Sequence, residues 1–264
     1  MIDHQPGPAV AKLLHEFNPE QPFETTRSQS ALAHLRSAFM NGRALAVLGS
    51  GWQRGSNQLI RRFLEEADGA ATVLQIPASC ATELQGQQAL ITAMGFDPKD
   101  LAGRDLHKIF VNFLKFQSKR RRRTIIVETD SGAENCWLRD YVTRLLEMDA
   151  NAKFGLMIIL SRQVKSAPAA GELPLDSLSY RTAKHIVLTP FTQAETRSFV
   201  RWRLDAKEDV DIGGIFDFQA ITLIHELCEG LPDAIDQLVC ESLKLADVED
   251  VAPVTTDIAV SYTH

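Results

Sequence analysis

The segment Val47-Leu48-Gly49-Ser50-Gly51-Trp52-Gln53-Arg54-Gly55-Ser56-Asn57-Gln58-Leu59 comes nearest, in residue type and spacing, to a chemical site. An apolar run ends in glycine and passes through a glycine-bearing turn into a helical pattern. That is where α/β nucleotide-binding proteins hold phosphate. The motif is G-x-x-x-x-G-K-[ST]: backbone N–H groups and the helix N-terminus cradle the anion, the lysine neutralises the outer phosphates, and the hydroxyl ligates magnesium. Aligned on Gly55, the eight positions here run from Ser50 to Asn57. Ser50 replaces the first glycine, Ser56 the lysine and Asn57 the Ser/Thr, so Gly55 alone stays in register. Gly55 and the helix behind it still offer N–H donors, and Arg54 could supply charge, which keeps ATP or ADP as candidate ligands. The competing reading is a plain strand-to-helix crossover with Trp52 packed over the vacant place.

Lys119-Arg120-Arg121-Arg122-Arg123 is the densest charge run and precedes an apolar strand, at the sheet edge opposite the phosphate-site end. Such a block can bind nucleic-acid phosphate or anionic lipid. No aromatic ladder lies near it to stack bases. It reads equally as a solvated connector, or as an ion-pair partner for an acidic surface of another subunit. The four cysteines, Cys80, Cys136, Cys228 and Cys240, form no CxxC and read as small buried apolar residues, with a nucleophilic thiol as the alternative. Seven histidines include no HExxH and no paired spacing, so no metal site is expected. No Gly-x-Ser-x-Gly nucleophile turn is present.

The elements that must position these residues alternate in type. Residues 44–49, 71–77, 124–128, 154–160 and 185–188 are short apolar runs, read as strands buried on both faces of a parallel sheet. Stripes at helical spacing precede the first run, Leu32, Leu35 and Phe39, and lie between later ones: Leu59, Ile60 and Phe63; Leu106, Phe110 and Leu114; Leu138, Val142 and Leu145. This order predicts an α/β fold with crossover helices. After Pro190 no further strand is evident. Helices are predicted from Thr192 to Leu204, from Phe216 to Cys228, and from Leu231 to Ala246, with an extended or frayed end from about Asp247. The reading divides the chain into an α/β domain, 1–190, with an extension at 1–27, and a helical domain, 191–264.

Several of these stretches, taken in order, resemble the AAA+ ATPases of the ExeA/GspA type, whose relatives include TniB-like transposition helpers. Pro22-Phe23, the helix over Ala31–Gly42, the strand ending at Gly49 and Arg61-Arg62-Phe63-Leu64 follow that family's opening. Thr192-Gln193-Ala194-Glu195-Thr196 with Phe199–Leu204, and Glu229-Gly230-Leu231-Pro232-Asp233-Ala234-Ile235, are similar to its helical lid. The resemblance covers roughly residues 14–245. It implies a P-loop AAA+-like parallel five-stranded sheet with flanking helices, followed by a small all-helical lid. It also implies site positions. Glu128 falls where the Walker B aspartate holds magnesium-bound water, and Thr129 where a glutamate activates the attacking water. Threonine cannot act as a general base at neutral pH. Asp233 stands where the sensor-2 segment supplies an arginine, which turns attraction for a triphosphate into repulsion. Arg181 sits where the family keeps an arginine before the fifth strand; it could face a neighbouring subunit or be a surface arginine.

Composition bounds the rest. The chain has 264 residues, 28 basic against 34 acidic side chains, and a net charge of −6. Residues 1–200 hold 24 basic and 20 acidic, giving +4, whereas residues 201–264 hold 4 and 14, giving −10. At 45% hydrophobic and 23% charged, the sequence is that of a globular protein with a proper core. No run approaches the ~18 apolar residues of a membrane helix, and the first residues show no basic-then-apolar signal pattern, so a cytoplasmic protein is expected. The expected function is that of a catalytically degenerate AAA+ module, a scaffold or regulatory subunit assembling with itself or a protein partner, with no cofactor beyond ATP or ADP. The resemblance implies bacterial settings such as secretion, envelope assembly, polysaccharide export or DNA mobility. A weak or partner-completed ATPase and a nucleic-acid adaptor working through 119–123 are the alternatives.

Overall fold

A computed structural model describes residues 23–50, 53–128, 136–163, 184–204, 215–249 and 254–257. Trp52, Thr129 and Arg181 lie outside the described residues. The chain divides into two compact units. One is Thr26–Leu188; the other joins the residues before it, of which 23–25 are described, to those from Thr189 onward.

The first unit runs α1 (Thr26–Met40), β1 (Leu45–Ser50), α2 (Gln53–Glu66), β2 (Ala71–Ile76), α3 (Glu83–Ala93), α4 (Leu106–Lys119), β3 (Arg123–Glu128), α5 (Cys136–Ala152), β4 (Leu156–Gln163) and β5 (Lys184–Leu188). The five strands form one parallel sheet in the order β2-β3-β4-β1-β5. Alternation along each strand sends side chains to opposite faces. Leu45, Val47, Ile126, Ile158 and Leu160 pack with Leu90 of α3, Phe110 and Leu114 of α4, and Tyr141 and Leu145 of α5. Ala46, Leu48, Val127 and Ile159 pack instead with Leu32 and Leu35 of α1 and with Ile60 and Phe63 of α2. Both faces of β1 are therefore buried, as the unbroken apolar run requires.

Two features of this unit go beyond the sequence reading. β4 extends past Leu160 through Ser161, Arg162 and Gln163, because these polar residues pair with Leu48, Gly49 and Ser50 of β1. Helix α3 has a weak apolar stripe, yet Thr82 and Gln85 form a capping box at its start. Its Gly86 is needed, since a Cβ there would stand 2.2 Å from the Trp137 ring. The Trp137 indole donates to the Cys80 carbonyl at 3.1 Å.

The second unit holds α6 (Gln193–Arg203), α7 (Phe218–Leu227) and α8 (Pro232–Glu249). Thr192 caps α6 with Glu195 in a capping box. Phe23 packs here with Phe191, Phe199 and Trp202, with ring centroids 5.5, 5.3 and 5.7 Å away. Arg203 of α6 and Asp236 of α8 form an ion pair at 2.5 Å with both side chains nearly buried. Phe216 precedes α7 rather than starting it and bridges Val254, while α8 runs to Glu249. Among the described residues after Asp247, 248–249 are helical and Val254 is paired.

Two left-handed backbones differ in how well their residues suit them. Gly230 has φ 71°, and a Cβ there would lie 2.4 Å from the Phe191 carbonyl oxygen. Arg121 has φ 58° at the C-terminus of α4. There Arg121 N–H bonds the Ser118 carbonyl and Arg122 N–H the Gln117 carbonyl, a Schellman closure that glycine makes without steric cost. Gly230→Ala is expected to lower unfolding free energy by about 2–4 kcal/mol. Arg121→Gly is expected to raise it by about 1 kcal/mol. Chemical denaturation of both variants checks the opposite signs.

Candidate functional site

At the C-terminal edge of the sheet, β1 ends at Ser50 and α2 begins at Gln53, so two residues, 51 and 52, connect strand to helix. In the phosphate-loop motif the four variable residues stand between the two glycines ahead of the lysine. Here Gly55 lies inside α2, as its third residue. Ser50 and Gly55 are buried, and Ser56 is 0% exposed. The lysine position therefore faces protein. Asn57 is exposed and lines an open groove of about 680 Å³ with Arg61, Leu64, Val73 and Gln75, on the face of β2 that α2 leaves uncovered. Arg54 is the second residue of α2.

Neighbouring strands complete this edge. Glu128 is the last residue of β3 and is 1% exposed; it pairs with Leu160 of β4 and Ile76 of β2. Ser161, one step further along β4, is buried beside Leu48. Sheet order places β4 between β1 and β3, so Ser161 and Arg162 stand between the phosphate-loop segment and Glu128. Sequence reasoning passed over this pair. The available signal was the polar Ser-Arg-Gln tail on an otherwise apolar strand. The edge thus gathers Ser50, Gly55, Ser56, Glu128 and Ser161: small buried polar groups and one carboxylate. The N-terminus of α2 also lies at this edge, and a helix N-terminus can receive an anion.

Asp233 is the second residue of α8, in the other unit, and is half-buried. Burial pushes the Cys228 thiol up to about 11 and raises those of Cys80 and Cys240. Protonated thiols are poor nucleophiles. Among the described residues no group of three or more His, Cys, Asp or Glu could hold a metal ion.

The basic run lies at the opposite, N-terminal edge and separates into two kinds of residue. Arg123 is built into the fold. Its guanidinium donates to the carbonyls of Gly155 at 3.3 Å, Arg43 at 3.2 Å and Leu156 at 3.4 Å, and to that of Phe39. It also lies 4.6 Å from the centre of the Phe39 ring. Burial lowers its pKa and Asp149 opposes that shift; an arginine stays charged throughout. Arg122 donates to the Ala71 carbonyl at 3.1 Å, while Lys119, Arg120 and Arg121 are exposed.

No protein-family model matches this chain, and no curated protein matches it in sequence. Solved structures match it in fold. It is similar to Cdc6p of Pyrobaculum aerophilum, with a TM-score of 0.62 at 12% identity over 92% of this chain and 69% of that one. It is similar to the ORC1 protein of Aeropyrum pernix in complex with DNA, with a TM-score of 0.59 at 15% identity over 92% and 66%. The RuvB Holliday junction branch migration motor of Thermotoga maritima aligns with a TM-score of 0.50 at 14% identity over 90% and 68%. The chain spans about two thirds of the length of these proteins. The parallel sheet with its flanking helices is the AAA+ P-loop fold. Among the described residues no helix is long and apolar enough to cross a membrane.

Two substitutions probe these edges. Ser56→Lys restores the motif's lysine at a fully buried helical position and is expected to cost about 3 kcal/mol of stability, read as a drop in the denaturant midpoint. Arg123→Gln removes a charged donor from four carbonyls and is expected to cost about 2–4 kcal/mol, whereas Lys119→Gln changes stability by less than about 0.5 kcal/mol.

Proposed function

We propose that this chain is a degenerate AAA+ module of the ExeA/GspA type it resembles. In this reading it does not hydrolyse ATP and serves as a scaffold or regulatory subunit of a bacterial assembly. The observation that carries the reading is the position of Ser56. Ser56, which aligns with the lysine of the phosphate-loop motif, is fully buried. In this reading Ser50, Arg54, Gly55 and Asn57 are remnants of a phosphate loop, Glu128 and Thr129 of the Walker B pair, and Asp233 of sensor 2. Arg181 is kept as an arginine for a neighbouring subunit. Losing one charge-stabilising group commonly slows such a reaction by about 10²–10³, and here the lysine, the Ser/Thr, the activating glutamate and the sensor arginine are replaced together. What remains of the module is its folded surface, and assembly is the work left to it. Thr26–Leu188 then forms the body, and the unit from Thr189 onward, joined by the residues before Thr26, takes the place of the lid.

A second reading, an ATPase completed by a partner, draws on the buried Glu128 carboxylate at the end of β3 and on the N-terminus of α2 at the same edge. Titration calorimetry with Mg-ATP, together with a phosphate-release assay on the purified chain, separates the two. The expected result is no binding below about 1 mM and no release above the uncatalysed rate. Micromolar binding that weakens at least tenfold in Arg54→Ala would sink the first reading and favour the second.

A further inference from the structure

Helix α4 and the turn that closes it carry Lys108, Lys115, Lys119, Arg120, Arg121 and Arg122, all exposed. No Asp or Glu occurs from Leu106 to Arg123. None of the six takes part in an ion pair within 4.0 Å among the described residues. Other cations of the same unit are matched: Arg36 with Glu66, Arg61 with Glu65, and Arg144 with Glu83. Lys108, Lys115 and Lys119 follow one another at helical spacing along a single face, over about 16 Å at ~1.5 Å per residue. The helix dipole favours cations at Lys119 and Arg120, in the last turn, but not at Lys108 in the first. Phe116 lies within this face, 50% exposed, with the Arg120 guanidinium 4.5 Å from its ring centre. Six cations outside any ion pair, one of them stacked on an exposed aromatic, in a chain of net charge −6, form a surface suited to an anionic partner with an apolar side chain at its centre.

Such a partner is encoded in the same chain. Residues 201–264 carry 14 acidic against 4 basic side chains. At the end of α7, Glu226 and Glu229 are exposed on either side of Leu227, itself 44% exposed. Both acids sit where stability does not favour them. Glu226 is in the last turn of α7, against the helix dipole, and Glu229 has a left-handed backbone at φ 50°. The pattern is the complement of Phe116 among Lys115, Lys119 and Arg120. We infer that the basic face of α4 docks the acidic end of α7 on a second copy of this chain. This rests on the assembly half of the proposed function and names the partner as the chain itself. Two different patches meeting in this way form a heterologous contact, which propagates into rings or filaments.

The test is sedimentation velocity on the full chain at about 50 μM, in 50 and 500 mM NaCl. Oligomers beyond the dimer are expected at low salt and monomer at high salt, because screening lengths shorten from above ~10 Å to below it. The triple reversal Lys115→Glu, Lys119→Glu, Arg120→Glu is expected to weaken association at least tenfold without shifting the thermal midpoint, and the Gln version of the same three to do so less. Glu226→Lys with Glu229→Lys should weaken it likewise. Mixing the two reversed proteins should restore association between them. A wild-type monomer at both salts, association indifferent to the reversals, or failure of the mixture to associate would each overturn the inference. A reversal-sensitive, salt-dependent shift of duplex DNA or binding to anionic vesicles, without self-association, would also overturn it in favour of a phosphate polyanion. None of these outcomes bears on ATP turnover, which the calorimetry judges separately.

Discussion

The structure of the α/β unit depends on burying β1 on both faces. All six of its residues are inaccessible, so no side chain of this strand can contact solvent, and its backbone must be paired on both edges. β4 and β5 supply those edges in parallel. Two helical layers supply the faces. Once β1 is fixed in this way, its C-terminal end, the start of α2 and the ends of β3 and β4 come together at one edge of the sheet. The described side chains gathered there are serine, glycine and a single buried glutamate.

The opposite edge shows how a charged residue can belong to a core. Arg123 begins β3, yet its side chain gathers carbonyls from the end of α1, the entry to β1 and the start of β4. A planar, permanently charged donor set suits this task, whereas a lysine would offer a single point of contact. Five consecutive basic residues therefore do different things. The last closes the sheet edge, the one before it reaches a carbonyl of β2, and the first three face outward at the end of a helix. Charge counting treats them alike; their backbone positions do not.

The helical unit is held by different means. Its aromatic cluster draws in Phe23 from ahead of the α/β unit, and the nearly buried Arg203–Asp236 pair joins two of its helices. Such a pair contributes little net stability over an apolar contact, but removing one partner strands the other charge. Gly230 lets the chain turn between α7 and α8 at a distance from Phe191 that no side chain allows. Among the described acids of this unit, Glu226, Glu229 and Asp257 are exposed, whereas Asp236 is drawn inward by Arg203.

Strand positions, most helices and the change to an all-helical region after Pro190 were legible in the sequence, because long apolar runs and helical stripes have few ways to be buried. Capping signals at Thr192 were equally plain. Helix α3 was not legible from periodicity, since Gly86 weakens its pattern for a reason supplied only by Trp137, far along the chain. The polar tail of β4 was not legible either: Ser161, Arg162 and Gln163 become strand by pairing with β1, which no local preference announces. That Ser56 stands where the phosphate-loop motif, aligned on Gly55, has lysine is legible in the sequence alone. That this serine is buried, with Gly55 inside the helix and Asn57 turned to a separate groove, was decided by the tertiary structure, because burial depends on which layer covers the strand-to-helix junction. In the same way, five adjacent basic residues were written in the sequence, but which of them are free to meet a partner depended on which carbonyls the sheet edge left within reach.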